Sequence, residues 1–357
     1  MSSRAPSRSP EIIDLTICRA IFAAWVFTYH VDLHANFSTA LGPFAGLVRR
    51  GYLGVDGFFL LSGLILARVH PELAQSPAGA PQFWLRRLAR LYPVHLAVIL
   101  LLATVTLIGL SLGMTPRDPG RFTLASLIQN LLLIQGWGVA DQLAWNYPSW
   151  FISTEWAGYL LFPALWFGIA RLPTGLCACL AALCLPVLAL VDSRFHGLNL
   201  TFAWSLLRFF PEFILGIATA KLLPGFAARL PARPVAALGL AILLLGLRFR
   251  ADAAAVTGLW AMLAAFAARA QSGRPGLLPA LPQLRFLGRL SYASYMSFGT
   301  IELFLAQLYR HEGWNPAQGK LAYTLAMTAL TLLLALSLHS LVETPARRAV
   351  ELRLAES

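Results

Sequence analysis

Long apolar runs recur along this chain, and short polar stretches separate them. Runs of about 18 or more residues are long enough to cross the ~30 Å hydrocarbon core of a lipid bilayer. The runs lack the strict alternation of transmembrane β-strands, so a backbone surrounded by lipid must form its hydrogen bonds within helices. The pattern therefore predicts an all-α, polytopic membrane helix bundle.

These runs predict about ten transmembrane helices. The first three cover residues 12–33, 52–69 and 94–113, and seven more begin near residues 150, 173, 202, 235, 253, 286 and 321. We expect one integral membrane domain at residues 11–345. A polar N-terminal tail at residues 1–10 precedes it, and a polar C-terminal tail at residues 346–357 follows it.

Two shorter segments are predicted to lie at the membrane surface. Residues 83–93 combine aromatic side chains with arginines, which favours an amphipathic interfacial helix. Residues 122–137 are apolar but too few to span the bilayer, and Gly136 and Gly138 mark the end of this run. A re-entrant or interfacial helix is the structure that such a segment predicts.

The composition agrees with a membrane location. Hydrophobic residues make up 58% of the chain and charged residues 12%, which is about half the charged share of a soluble domain. The net charge is +12, and 26 of the 28 basic residues are arginines. They lie at helix ends rather than in one block, which is typical of membrane topology, so we expect no nucleic-acid partner.

The distribution of basic residues also orients the bundle. With a cytoplasmic N-terminus, 17 basic residues fall on the cytoplasmic side and 9 on the other side, while Arg19 and Arg208 remain inside the membrane. Cytoplasmic loops carry such an excess of positive charge. We therefore predict that both termini lie in the cytoplasm.

The cysteines offer no alternative chemistry. Cys18, Cys177, Cys179 and Cys184 all lie in apolar runs, without histidines at metal-ligand spacing. Buried thiols of this kind behave as small apolar side chains. We expect neither a metal site nor a bound cofactor.

Ionisable residues inside predicted membrane helices are energetically unfavourable, and each is a candidate for function. Arg19 and His30 lie eleven positions apart in the first helix, which places them on nearly the same face about 16 Å apart. A snorkelling arginine and a hydrogen-bonded structural histidine are the alternatives.

Two carboxylates are expected near the depth of His30. Asp56 begins the second helix, and Glu155 enters the membrane from the same side in the predicted topology. A histidine with a carboxylate neighbour provides a general base, because the carboxylate fixes the tautomer and stabilises the imidazolium. A buried polar network that holds helices together is the structural alternative.

Further charged residues occur in two groups. Arg86, Arg87 and Arg90 form a basic cluster that indicates either an anchor to anionic lipid headgroups or a phosphate site. Arg208 and Glu212 lie four positions apart in the sixth span and predict an internal ion pair.

Seven motifs occur in a fixed order along nearly the whole chain: Arg19-X10-His30, GVDGFFLLSGLILA, RRLARLYP, WFISTEWAGYLLFP, RFFPEFILG, LGRLSYASYMSFG and VETPARR. In this combination the chain resembles acyltransferase family 3, the membrane O-acyltransferases that modify bacterial surface glycans. Many members have a histidine at the end of the SYxxYLxH motif, whereas this chain has Phe298. A role for a second histidine at that position is therefore in doubt.

The resemblance implies transfer of a short acyl group, usually acetyl, from acyl-CoA to a sugar hydroxyl at the bacterial inner membrane. It implies that His30 is the essential histidine of the family and that Arg19 is the arginine of the same motif. It further assigns the basic RxxR motif to Arg87 and Arg90, and the motif carboxylates to Asp56 and Glu155. Acyl-CoA and a glycan or lipid-linked glycan are then the substrates.

A mechanism combines both lines of reasoning. Arg87 and Arg90 would bind the phosphates of acyl-CoA, Arg19 would contact the start of the pantetheine arm, and the thioester would reach His30. Asp56 or Glu155 would orient His30 as the general base. The candidates for the oxyanion donor are Ser62, Tyr52 and Trp150. A covalent acyl-enzyme stays open, because no serine lies in a recognisable nucleophile motif.

Two other classes of function fit parts of the pattern. A transporter or flippase of a lipid-linked glycan or anionic solute would also carry buried charges, but the chain shows no paired, interrupted half-helices. A subunit that assembles with polysaccharide-export proteins would give no reason for Arg19 and His30 to share a face. Some relatives carry an appended esterase-like domain, so we expect this membrane domain to act alone or with a partner.

Overall fold

The computed structural model describes residues 11–113 and 118–356. The predicted N-terminal tail at residues 1–10 lies outside the described residues, as does Ser357. Every regular element among the described residues is a helix. The all-α prediction is confirmed.

Ten helices of 16 residues or more form the body of the described protein. They are α1 (Ile13–Ala35), α3 (Gly54–Val69), α5 (Ala80–Ser111), α7 (Trp150–Arg171), α8 (Thr174–Phe195), α9 (Ser205–Phe226), α10 (Ala232–Phe249), α11 (Asp252–Gln271), α12 (Pro282–His311) and α13 (Lys320–Leu338). Shorter helices connect or extend them: α2 (Ala45–Arg49), α4 (Glu72–Gln75), α6 (Leu124–Leu131) and α14 (Thr344–Glu356). A π-helical turn at His339–Glu343 joins α13 to α14, which crosses the predicted boundary at residue 345.

Residues 83–93, predicted as an amphipathic interfacial segment, do not form a helix of their own. That segment is the first part of the 32-residue helix α5, which continues through Pro93. The proline removes one backbone donor, but the apolar side chains on either side of it pack in the same bundle and keep the helix continuous. Arg87 and Arg90 lie in the first part of this long helix, and their side chains line an internal cavity.

Six of the helical segments are long and apolar enough to cross a membrane, by length and composition, within the described residues. The long helices outside this set are α1, α7, α9 and α12. These are the helices that carry Arg19, His30, Glu155, Arg208 and Glu212. The ten membrane crossings and the sides of the termini stay predictions.

Helices α1 and α12 lie side by side and run in the same direction. A Cβ atom on Gly288 would overlap the backbone oxygen of Thr16, so the two helices can approach closely only because residue 288 is glycine. Arg19 contacts Ser291, and His30 contacts Glu302. Each contact joins residues 272 positions apart in the chain. Arg19 and His30 on α1 therefore lie opposite Ser291 and Glu302 on α12, and both pairs have the same spacing of eleven positions.

A second close contact joins α3 to α9. Gly63 lies against the backbone oxygen of Phe213, and Gly216 lies against that of Leu60, so that neither position has room for a side chain. Small residues allow helices in a membrane to approach to this distance. The contact fixes α3 against α9 and brings Asp56 within reach of Arg208.

Candidate active site

His30 lies in a cluster of polar side chains around Glu302. The Nδ1 atom of His30 is 3.2 Å from a carboxylate oxygen of Glu302 and 2.9 Å from the hydroxyl oxygen of Tyr147. Tyr147 donates to the same carboxylate at 2.5 Å. The second carboxylate oxygen is 2.9 Å from Nε2 of His34, one turn further along α1.

The partners of Glu302 determine where the protons lie. An ionised carboxylate only accepts hydrogen bonds, so each neighbour must present a proton to it. We therefore assign the ring proton of His30 to Nδ1, which leaves the lone pair on Nε2. The carboxylate would stabilise the imidazolium that forms when Nε2 takes up a proton. A cluster with this arrangement can act as a general base with an orienting carboxylate.

Aromatic rings separate His30 from the interior of the protein. Between ring centroids, Phe298 lies 4.6 Å from the imidazole of His30, and Tyr295 lies 5.3 Å from Phe298 on the same helix. Phe151 lies 4.9 Å from Tyr295, and Phe58 lies 5.8 Å from Phe151. We call Phe58, Phe151, Tyr295 and Phe298 the aromatic layer. It stands between the Glu302 cluster and an internal cavity.

The cavity beyond the aromatic layer has a volume of about 80 Å³ and contains three arginines. The polar side chains that line it are Arg19, Ser62, Arg87, Arg90, Glu155, Tyr159, Ser291, Tyr292 and Tyr295. Helices α1, α3, α5, α7 and α12 contribute them. Arg19, Arg87 and Arg90, predicted from separate motifs, thus meet in one cavity. We call it the arginine cavity.

The charges in the arginine cavity do not balance. Glu155 accepts hydrogen bonds from Ser62 and, at 3.2 Å, from Tyr159. Arg19 donates to Ser291 at 3.3 Å. Arg90 makes no hydrogen bond to any described residue. Three guanidinium groups beside one lining carboxylate make the cavity a candidate site for an anion, and phosphate groups are chemically suitable ligands.

Asp56 is not the partner of His30. Both of its oxygens accept from the guanidinium of Arg208, from Nε at 3.0 Å and from Nη2 at 2.5 Å, and both side chains are completely buried. Arg208 also donates to the backbone oxygens of Leu200 and Tyr52. Asp56 and Arg208 form a buried structural ion pair between α3 and α9.

Glu155 and Glu212 also lie elsewhere than predicted. Glu155 binds Ser62, which lies six residues deeper in α3 than Asp56, so the two carboxylates do not share the depth of His30. The predicted Arg208–Glu212 ion pair is wrong, because Arg208 binds Asp56 in the two-bond geometry that a guanidinium prefers. Glu212 is fully buried next to Asp56.

The remaining candidates contribute little to the Glu302 cluster. Tyr52 donates to Asp252 at 2.6 Å. Trp150 packs on Phe59 and on the guanidinium of Arg208, and Ser62 binds Glu155. Arg86 is exposed and does not line the arginine cavity. Within the described residues, no group of three or more histidine, cysteine or acidic side chains could hold a metal ion.

Sequence reasoning missed Tyr147, His34 and Glu302. Glu302 met the criterion that identified Arg19 and His30, because it is an ionisable residue within a predicted span. It also follows Ser291 by the same eleven positions that separate Arg19 from His30. His34 lies one helical turn after His30. Tyr147 precedes α7, and no feature of the sequence marked it as a site residue.

A family model described as an acyltransferase domain matches residues 12–340. The chain belongs to this acyltransferase family. The acyltransferase is 31% identical to Acyltransferase MdmB of Streptomyces mycarofaciens, over 96% of its own length and 93% of that protein. It is also 36% identical to Protein 2 in picA locus of Rhizobium radiobacter over 115 residues, which cover 30% of the acyltransferase and 58% of that protein. No solved structure matches.

The family resemblance read from the motifs is confirmed, and with it the class of reaction: the protein is a membrane acyltransferase. Both candidate regions of the acyltransferase fall within the matched residues. The arginine cavity draws on residues from 19 to 295, and the Glu302 cluster on residues from 30 to 302.

Proposed function

We propose that this acyltransferase moves a short acyl group, most simply acetyl, from acyl-CoA to a hydroxyl of a cell-surface or lipid-linked glycan. The observation that carries the proposal is the Nδ1 contact of His30 with Glu302 and Tyr147, which leaves Nε2 as the basic nitrogen. In this proposal His30 is the catalytic residue, and Glu302 and Tyr147 are positioning residues.

The arginine cavity is the proposed donor site. Arg87 and Arg90 bind phosphate oxygens of acyl-CoA, because a guanidinium forms charge-assisted hydrogen bonds with phosphate. Arg19 contacts the adjoining part of the pantetheine arm. The arm then runs beside α1 through the aromatic layer, over the roughly 16 Å that separate Arg19 from His30 along the helix.

In this reaction His30 first accepts a proton from the acceptor hydroxyl and later donates it to the leaving thiolate. The acceptor hydroxyl attacks the thioester carbonyl while its proton moves to Nε2 of His30. Glu302 holds the Nδ1 proton and stabilises the positive imidazolium. Collapse of the tetrahedral intermediate breaks the carbon–sulfur bond, and His30 returns the proton to the CoA thiolate. The products are the glycan ester and free CoA.

Two further parts of the proposal concern location. The protein lies in a bacterial cytoplasmic membrane with the arginine cavity towards the cytoplasm, the side that contains acyl-CoA. The excess of basic residues on the same side supports this orientation. His30 then lies towards the opposite leaflet, where a lipid-linked acceptor, or proteins that assemble polysaccharide, would be neighbours.

The test uses membranes with wild-type protein or single variants, incubated with acetyl-labelled acetyl-CoA and a glycan-lipid extract of the host. We expect His30→Ala to lower label transfer by about 10²- to 10⁴-fold, the usual contribution of a general base. Glu302→Gln should lower kcat by about 10- to 100-fold and leave the KM for acetyl-CoA unchanged, because one charge-assisted hydrogen bond is weakened.

His196→Asn is the matched control, because His196 is exposed at the end of α8, outside both functional regions. It should transfer label at the wild-type rate. Transfer by His30→Ala at the wild-type rate would refute the assigned base. The transporter hypothesis would replace this one if the wild-type protein transferred no label from any acyl-CoA tested and instead transported a solute in dependence on an ion gradient.

A further inference from the structure

One histidine lies beside the arginine cavity, away from the Glu302 cluster. His70 follows the last residue of α3, and only 5% of its surface is exposed. Its backbone N–H donates to the carbonyl of Leu66 at 3.0 Å, and its own carbonyl accepts from the indole of Trp166 on α7 at 3.0 Å. These two hydrogen bonds fix the position from which the imidazole extends.

The imidazole of His70 meets a charged group at each nitrogen. Nη2 of Arg87 is 3.2 Å from Nε2, and a carboxylate oxygen of Glu72 is 2.8 Å from Nδ1. A guanidinium can only donate, so Nε2 must hold a lone pair, and an ionised carboxylate can only accept, so Nδ1 must hold the proton. This geometry requires the neutral Nδ1–H form of His70.

The surroundings of the ring favour the same form. Burial of His70 and the positive charge of Arg87 lower the pKa of the imidazole below its ordinary value, and Arg86 adds to this effect. Glu72 acts in the opposite direction but is itself largely exposed to solvent. The ring is therefore neutral near pH 7, and Nε2 is available as an acceptor.

Arg87 has few other polar contacts that could orient it. Its guanidinium carbon lies 5.4 Å from the ring of Phe83 and 5.9 Å from that of Tyr159. Its Nε is buried without a hydrogen-bond partner among the described residues. Aromatic rings attract a guanidinium but accept no hydrogen bond in its plane, so His70 determines which donors of Arg87 face the arginine cavity.

We propose that His70 is a positioning residue for acyl-donor binding. Its neutral Nε2 accepts one hydrogen bond from Arg87 and thereby directs the other donors of this arginine towards a donor phosphate. Glu72 keeps the proton on Nδ1 and so preserves the acceptor at Nε2. The inference rests on the donor site proposed above, and extends it to a residue that does not line the cavity.

The test compares two substitutions of His70 in the full-length protein, with acetyl-CoA as the probe. His70→Gln keeps an acceptor oxygen near the position of Nε2, whereas His70→Leu fills the space without one. We expect His70→Leu to raise the KM for acetyl-CoA about three- to tenfold with little change in kcat, and His70→Gln to stay within about twofold of wild type. The amount of folded protein is measured for both.

An unchanged KM in folded His70→Leu would overturn the inference, and so would equal KM increases in the two variants, which a role in packing would produce. Arg87→Ala separates this failure from failure of the donor site. If Arg87→Ala raises the KM while His70→Leu does not, the donor site stands and the role of His70 is refuted. If Arg87→Ala leaves the KM unchanged, both proposals fall.

Discussion

Arg208 and the three arginines of the arginine cavity use their hydrogen-bond donors in opposite ways. Arg208 is completely buried and directs its donors to Asp56 and to two backbone oxygens. The arginines of the cavity, Arg19, Arg87 and Arg90, make few hydrogen bonds to the described residues. Arg208 is part of the scaffold, whereas the cavity arginines have donors left that could bind the proposed acyl donor.

The difference follows from position within the bundle. Arg208 lies between α3 and α9 and is completely buried, so its donors need partners within the protein. The cavity arginines lie where five helices leave a gap. A buried cation without a protein partner is unfavourable, and an anionic ligand relieves that cost when it binds. Unused donors are thus a better sign of a binding site than burial alone.

The largest expected effect comes from the scaffold pair. Arg208→Ala leaves Asp56 as an unpaired buried charge, so we expect a loss of about 3–5 kcal/mol in the free energy of unfolding. Thermal unfolding of the detergent-solubilised protein measures it. A double variant, Arg208→Met with Asp56→Leu, removes both charges and should recover most of the loss. Equal destabilisation by the single and the double variant would contradict the pairing.

Substitution in the arginine cavity should weaken the binding of acetyl-CoA without lowering the stability of the fold. We expect Arg90→Ala to raise the KM for acetyl-CoA about 10- to 100-fold, because one or two charge-assisted hydrogen bonds to phosphate are lost. Its unfolding temperature should match or exceed that of the wild type. Arg229→Ala, an exposed arginine of the loop after α9, serves as the control of equal charge. A large drop in stability with Arg90→Ala would place this residue in the scaffold.

The smallest effect is expected from the hydroxyl that holds Arg19. Ser291→Ala removes the 3.3 Å hydrogen bond to this arginine, and we expect the KM for acetyl-CoA to rise only about threefold. Ser297→Ala is the matched control, because Ser297 is buried on the same helix and, among the described residues, its hydroxyl bonds only to the carbonyl of Ala293. Equal KM values for the two serine variants would remove Ser291 from the donor site.

The sequence was sufficient to locate most of the long helices and to identify the arginines of the cavity. Long apolar runs leave no alternative to helices in lipid, and the helix starts from α7 to α13 fall within a few residues of the predicted positions. Arg19, Arg87 and Arg90 were visible because charged residues are rare in such runs. Their meeting in one cavity depends on how five helices pack, which no single motif specifies.

The partners of the buried charges could not be read from the sequence in the same way. Asp56 and Glu155 were assigned to His30 because all three were expected at one depth, but depth does not determine which helices are neighbours. Two glycine contacts decide this instead. Gly63 holds α3 against α9, and Gly288 holds α12 against α1, so Asp56 meets Arg208 and Glu302 meets His30.

The aromatic layer has an electrical consequence. In an energised membrane the voltage drops across the part of a protein that excludes water, and moving one elementary charge through the full drop changes the free energy by about 2.3 kcal/mol per 100 mV. On the proposed path the donor phosphates stay with the arginines, and only the uncharged arm and thioester enter the layer of Phe58, Phe151, Tyr295 and Phe298. The acyl group thus reaches His30 without electrical work, while the rings insulate the two charged regions from each other.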